Sequence, residues 1–174
     1  KLSAAPAGPV ERILVSAIEH AAVLSAAEAS GLPLERLPVT ADGQLDLAAL
    51  DKALENPVPA LVCVMLANNE TGVIQPLPEI SARVKAHGSL LFCDAVQAAG
   101  NMPIDMTVLG CDGLSLSGHK LGAPMGTGAL IVRNGLVTPS HIVGGGQELG
   151  RRAGSENIVG ILGFAVVVPS RSVE

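Results

Sequence analysis

Aromatic residues are almost missing from this chain of 174 residues: two phenylalanines, no tryptophan and no tyrosine, 1% in all. Its hydrophobic fraction of 48% must therefore be packed by aliphatic side chains and alanine, each of which buries less area than a ring does. Positive charge is scarce too. With 11 Lys and Arg against 16 Asp and Glu, the net charge is -5; there is no basic run or aromatic-interleaved patch, so no nucleic-acid partner is expected. Charges interrupt every apolar stretch well short of the roughly 18 residues that a bilayer span needs, and no membrane role is expected. The three cysteines, Cys63, Cys93 and Cys111, have no C-x-x-C spacing and fit a reducing compartment, so a cytoplasmic location is expected. His20, His87, His119 and His141 lack the i, i+4 pairing or Cys/His spacing of a zinc site, and no metal is expected. A phosphate-binding G-x-x-x-x-G-K-[ST] run is absent. The start has no apolar stretch after a basic one, as a signal peptide would; residues 1–10 read as a linker entering the first strand.

What is present is alternation. Short apolar runs fall at 12–16, 37–39, 60–66, 89–92, 113–116 and 128–132, with helix-like stretches at 18–28, 45–54, 77–86 and 96–99. Strands alternating with helices predict an α/β fold, a mostly parallel sheet with flanking helices. Ligands in such sheets bind beyond the carboxyl ends of the strands. His20 follows the first run, Asn69 the run at 60–66, Asp94 the next, and Lys120 the run after that. Parallel strands bring all four to one edge. An imidazole to stack, an amide and a carboxylate to hydrogen-bond a heteroaromatic ring, and an amine to bond it covalently are the parts of a pyridoxal-phosphate site. Plainer readings stand beside this one. Asp94 with Gln97 three residues on is also a helix-starting pattern, a lysine in a glycine-containing loop is ordinarily solvated, and His20 is also consistent with a satisfied core histidine.

Four motifs occur together and in order: Asn68-Asn69-Glu70-Thr71-Gly72, Asp94-Ala95-Val96-Gln97, Ser117-Gly118-His119-Lys120 and Gly144-Gly145-Gly146-Gln147-Glu148. With them the chain closely resembles the cysteine desulfurases of the iron-sulfur-cluster type, within the class V aminotransferase group of pyridoxal-phosphate enzymes, from about Arg12 to Phe164. The resemblance implies part of the large domain of a fold-type-I enzyme. It makes Lys120 the Schiff-base lysine and the proton shuttle at the substrate Cα, and Asp94 the partner that keeps the pyridine nitrogen protonated. It stacks His20 on the ring, sets Asn69 and Gln97 near the phenolic oxygen, and gives Ser117 and His119 to the phosphate. The glycine-rich loop 144–157 reads most simply as a mobile loop. In the family it reaches the neighbouring subunit, where Ser155 keeps the hydroxyl of a family threonine that touches the partner's cofactor phosphate.

The same resemblance implies conversion of L-cysteine to L-alanine, with sulfur passed as a persulfide to a cluster-assembly scaffold protein, and a homodimer. It also implies that 1–174 is one incomplete cofactor-binding domain. A strand and a glycine-rich phosphate turn belong before it. After Phe164 belong the rest of a helix and a small C-terminal domain with the reactive cysteine and a carboxylate-binding arginine. The cysteines present read as inert core thiols, so the chain by itself is expected to be inactive. Other class V aminotransferases, a selenocysteine lyase, or a catalytically silent structural remnant are the alternatives.

Overall fold

Leucine, valine and isoleucine runs that cannot stay in water assemble into one sheet. The computed structural model of the chain describes residues 3–4 and 8–170; the expected linker 1–10 lies partly outside the described residues. A two-residue pair, β1 (Ser3–Ala4) and β2 (Gly8–Pro9), precedes the main body. The main strands are β3 (Arg12–Ser16), β4 (Leu34–Leu37), β5 (Ala60–Cys63), β6 (Leu90–Asp94), β7 (Gly113–Ser117) and β8 (Gly128–Val132). They stand in the order β4-β3-β5-β6-β7-β8, parallel from β4 to β7, with β8 antiparallel at the edge. The helices are α1 (Ala21–Ala29), α2 (Leu47–Leu54), α3 (Leu77–Ala86), α4 (Met106–Leu109) and α5 (Ile158–Ser170).

Successive side chains on a strand face opposite ways, and the register turns that into two packed faces. Leu14 lies beside Val62, and Val62 beside Leu91; with Cys93 and Leu114 they pack against Leu50 and Leu54 of α2, Leu77, Ile80 and Val84 of α3, and Leu109 of α4. Ile13, Val15 and Cys63 pack on the other face against Ala27, Val23 and Leu24 of α1. The chain leaves β3 toward β4 on one side and leaves β5 toward β6 on the other, so the strand order reverses between β3 and β5. A crevice opens at such a point beyond the strand ends.

Local chemistry sets where the elements start. Asp46 accepts from the N–H groups of Ala48 and Ala49 at the head of α2, and Asp105 accepts from those of Thr107 and Val108 at the head of α4. Two sequence expectations are corrected. The second strand lies at Leu34–Leu37 and not at 37–39: Pro38 has no N–H to extend the ladder, and Val39 only bridges Leu45. Its Leu-Glu-Arg-Leu sequence, with Glu35 and Arg36 exposed, marks a half-buried edge and has no continuous apolar run. The stretch 96–99 is a single turn, not a helix; the Ala95 carbonyl accepts from Ala98 and Ala99, and Gly100 at φ 76 and Pro103 stop it there. On the far side, β8 and α5 leave Leu130, Val159, Leu162 and Val166 exposed.

One polar residue opens the first long strand. Arg12 is buried, and its guanidinium donates to the carbonyls of Ala53, Asn56 and Val58 at 3.0, 2.9 and 2.8 Å, tying the end of α2 to the β3–β5 pair. Arg12→Ala orphans three carbonyls and is expected to cost about 3 kcal/mol, read as a lower urea midpoint with an unchanged m-value; an unchanged midpoint would contradict this role.

Candidate active site

The carboxyl ends of β3, β5, β6 and β7 surround a cavity of about 370 Å³. Of the eight residues singled out from the sequence, seven line it: His20, Asn69, Asp94, Gln97, Ser117, His119 and Lys120. Ser155 does not. It sits exposed after a 3-10 turn at Gln147–Gly150, in a loop braced by Gln147 accepting from the Gly154 N–H at 3.2 Å and by the Glu148–Arg152 pair at 3.4 Å. Glu148 and Leu149 hold left-handed backbone there, φ 49 and 56, a conformation that costs energy in residues other than glycine.

His20 occupies the corner between β3 and α1. It is exposed, not a core histidine, and its Nδ1 accepts from the Ala22 N–H at 3.1 Å, capping the helix. The neutral ring must then carry its proton on Nε2. Past Cys63 the chain stays extended: Val64 and Leu66 donate to the carbonyls of Phe92 and Asp94, so the run 60–66 reaches the cavity, where Met65 and Ala67 form wall. Asn68 is buried and builds the following loop; its Oδ1 accepts from the N–H groups of Glu70 and Thr71, and its Nδ2 donates to the Ile18 carbonyl at 3.0 Å. That bracing leaves the neighbouring Asn69 exposed at the cavity.

Asp94 ends β6 and is 8% exposed. Its Oδ1 accepts from the Val96 N–H at 3.0 Å and the Ser115 hydroxyl at 3.2 Å, while Oδ2 has no protein donor among the described residues. The carboxylate half of the helix-starting pattern is thus present without the helix. Ser117 and His119 hydrogen-bond each other, Oγ to Nδ1, at 2.9 Å. Lys120 is exposed within a 3-10 turn, Gly118–Leu121, and among the described residues no carboxylate pairs with it. Two glycines make that turn: a Cβ on Gly118 would lie 2.7 Å from the Thr127 Oγ1, and Gly122 closes the turn at φ 93.

Sequence reasoning missed Glu19. It lies between β3 and His20, is 6% exposed, and accepts from the Met65 N–H at 2.5 Å through Oε1. Its Oε2 is buried with no hydrogen-bond partner among the described residues. Burial raises its pKa from 4.5 to about 7, against the Met65 hydrogen bond that lowers it and with the Asp94 charge that raises it. The signal available was a carboxylate sitting where the chain passes from the Ile13-Leu14-Val15 run to a helix. The cysteines match expectation: all three are buried, burial pushes the Cys63 thiol up to about 12, and the Cys93 and Cys111 thiols are raised by the same cause. Among the described residues no cluster of side chains suits a metal ion and no helix is long and apolar enough to cross a membrane.

A parallel sheet with an amine, a carboxylate and an imidazole converging on one crevice defines the class as that of fold-type-I pyridoxal-phosphate enzymes, and comparison with known proteins agrees. The chain belongs to the aminotransferase class-V family, whose model matches residues 2–169. It is 46% identical over 155 residues to a cysteine desulfurase of Nostoc sp., covering 87% of this chain and 38% of that protein. A NifS-like protein from Rickettsia africae superposes with a TM-score of 0.89 at 34% identity, over 93% of this chain and 45% of the other. SspA, in a structure in complex with cysteine, superposes with a TM-score of 0.83 at 34% identity, over 92% of this chain and 47% of the other. The chain spans about two fifths of the length of the curated relatives it matches. Class V aminotransferases and cysteine desulfurases use pyridoxal phosphate, so the family implies that cofactor.

Because the folded chain holds the Glu19 proton more tightly than the unfolded chain does, stability falls as pH rises from about 4.5 to about 7 and levels off above. Glu19→Gln keeps an acceptor for Met65 and removes the ionisation. It is expected to stabilise the protein by roughly 3 kcal/mol at about pH 8 and much less at about pH 5, measured by urea unfolding at both values. Equal effects at the two values would contradict a proton on Glu19.

Proposed function

We propose that this chain is the cofactor-binding core of a pyridoxal-phosphate-dependent cysteine desulfurase, acting on L-cysteine to give L-alanine and passing the sulfur on for iron-sulfur cluster assembly. The observation that carries the reading is the shared cavity of Lys120, Asp94 and His20. The residues suit the cofactor. Asp94 has one oxygen fixed by Val96 and Ser115 and the other free of protein donors among the described residues, as a pyridinium partner requires. Lys120 offers an amine that no carboxylate among the described residues holds, and Ser117 and His119 offer hydroxyl and imidazole donors beside it. Bound there, the cofactor supplies an electron sink for the carbanion formed at the substrate Cα.

The chain's own residues do the rest. Lys120 attaches the cofactor and moves the proton at the substrate Cα. Asp94, oriented by the Val96 N–H and the Ser115 hydroxyl, is the carboxylate that favours the protonated ring nitrogen. His20, held by the Ala22 N–H, presents its ring and the Nε2 proton to the cavity, while Asn69 and Gln97 offer amide groups from neighbouring loops. Ser117 and His119 bind the phosphate. Ser155, exposed and away from the cavity of its own chain, suits a contact with the phosphate held by a second subunit of a homodimer. Thiols at Cys63, Cys93 and Cys111 are buried and un-ionised, so none is the sulfur-accepting nucleophile. Sulfur transfer to a scaffold protein calls for a cysteine other than these, and by itself this chain is inactive in desulfuration.

Incubation with pyridoxal phosphate, borohydride reduction and peptide mapping tests the assignment. Reduced cofactor is expected on Lys120 alone, lost in Lys120→Ala and retained in Asp94→Asn. An adduct spread over Lys52 and Lys85, or one that survives Lys120→Ala, would overturn it.

A further inference from the structure

Where the strand order reverses, no backbone ladder holds the cavity wall together. The β3–β5 pairing ends at Val15 and Cys63. Beyond it β3 turns toward α1, while the extension of β5 bonds to β6 through Val64 and Leu66. Among the described residues, the hydrogen bonds that still join the two exits come from side chains. Glu19 Oε1 accepts from the Met65 N–H at 2.5 Å, and Asn68 Nδ2 donates to the Ile18 carbonyl at 3.0 Å. Asn68 is the better anchored of the two. Its Oδ1 accepts from the N–H groups of Glu70 and Thr71 at 3.0 and 2.9 Å and from the Thr71 hydroxyl at 3.1 Å. Its Nδ2 also reaches the Met65 sulfur at 3.2 Å, and its own backbone N–H and carbonyl bond to Val73 and Gly72. At 6% exposure the amide is withdrawn from water, where an unmade hydrogen bond costs most. The place demands donors and an acceptor on one short head, which an amide has and a carboxylate does not.

We propose that Asn68 is a positioning residue that clamps the two exits together and so sets the separation of His20 and Asn69 across the cavity. This rests on the reading of the cavity as a pyridoxal-phosphate site. His20 comes two residues after Ile18, and Asn69 directly after Asn68; both are exposed on the cavity wall. Among the described residues, the side chain of neither bonds to the opposite exit. Their separation therefore follows from the backbone that carries them, and the Asn68 amide ties those two stretches of backbone to each other. A ring seated between an imidazole and an amide binds best when the gap is held before it arrives. A wall that formed only on binding would lose part of the interaction energy to ordering. Asn68 is not among the residues that line this cavity; it acts through His20 and Asn69.

Asn68→Asp separates the clamp from the loop: at about pH 8 its carboxylate still accepts from Glu70 and Thr71 but has no donor for Ile18. Arg12→Ala is the control, a destabilised variant whose lost bonds lie away from the cavity. Affinity for pyridoxal phosphate is expected to fall about tenfold in Asn68→Asp and to stay within about twofold of wild type in Arg12→Ala. At saturation, the visible circular dichroism of the bound cofactor is expected to change in Asn68→Asp alone. Equal behaviour of the two variants, with cofactor mapped to Lys120, would make Asn68 a merely structural residue and overturn this inference alone. No cofactor at Lys120 of the wild type at any concentration would overturn the cofactor reading and this inference with it. Hydrogen exchange in the unsubstituted chain keeps the test independent of how the variants fold. If the clamped form is the one that binds, saturating pyridoxal phosphate slows exchange of the Asn68 Nδ2 protons by about tenfold or more. The Gln75 amide, buried and donating to the Gly43 carbonyl away from the cavity, measures general stabilisation. Slowing at Asn68 no greater than at Gln75, with the cofactor on Lys120, would overturn the clamp.

Discussion

Strands that run the same way end on the same edge of their sheet, and everything chemical in this protein depends on that constraint. β3, β5, β6 and β7 are adjacent and parallel, so the four loops that follow them deliver His20, Asn69, Asp94 with Gln97, and Lys120 to one crevice. Antiparallel β8 adds to this, because pairing of Gly128 with Ser117 returns the chain to the same edge and confines Lys120 to a tight turn. Residues separated by as much as a hundred positions become neighbours without any element bending out of its way.

The convergence has a cost in buried polar groups, and the structure meets it one group at a time. Asn68 uses both ends of its amide to brace a loop, Asp94 fixes one oxygen, and Arg12 satisfies three carbonyls at the opposite edge. Glu19 is the exception with an unpartnered oxygen, and a proton is the cheapest way to neutralise it. The core beneath is aliphatic: Leu14, Val62, Leu91 and Leu114 pack without rings. Apolar surface on β8 and α5 stays uncovered, and patches of that kind are where further protein is accommodated.

The sheet was legible in the sequence because its strands read as short apolar runs, and both the buried parallel Arg12–Ser16 and the more exposed antiparallel edge Gly128–Val132 have the bounds that the pattern predicts. So was the gathering of polar side chains at one edge, since those that line the cavity come from the loops directly after those runs. The misses have physical causes. β4 is half exposed, with the charged Glu35 and Arg36 between its two leucines, so no apolar run marked it; 96–99 has helical composition but is ended by Gly100 and Pro103. Glu19 was invisible because its burial depends on β5 and β6, strands far away in sequence. The absence of Ser155 from the cavity lining of its own chain follows from its exposed loop, not from its residue type.

A crystal structure of this chain grown with pyridoxal phosphate would test the account most directly. It is expected to show density continuous with the Lys120 Nζ, the ring against His20 and its nitrogen at Asp94. Cofactor bound at Lys52 or Lys85 with the strand-end cavity empty would contradict the claim that the parallel edge builds the site.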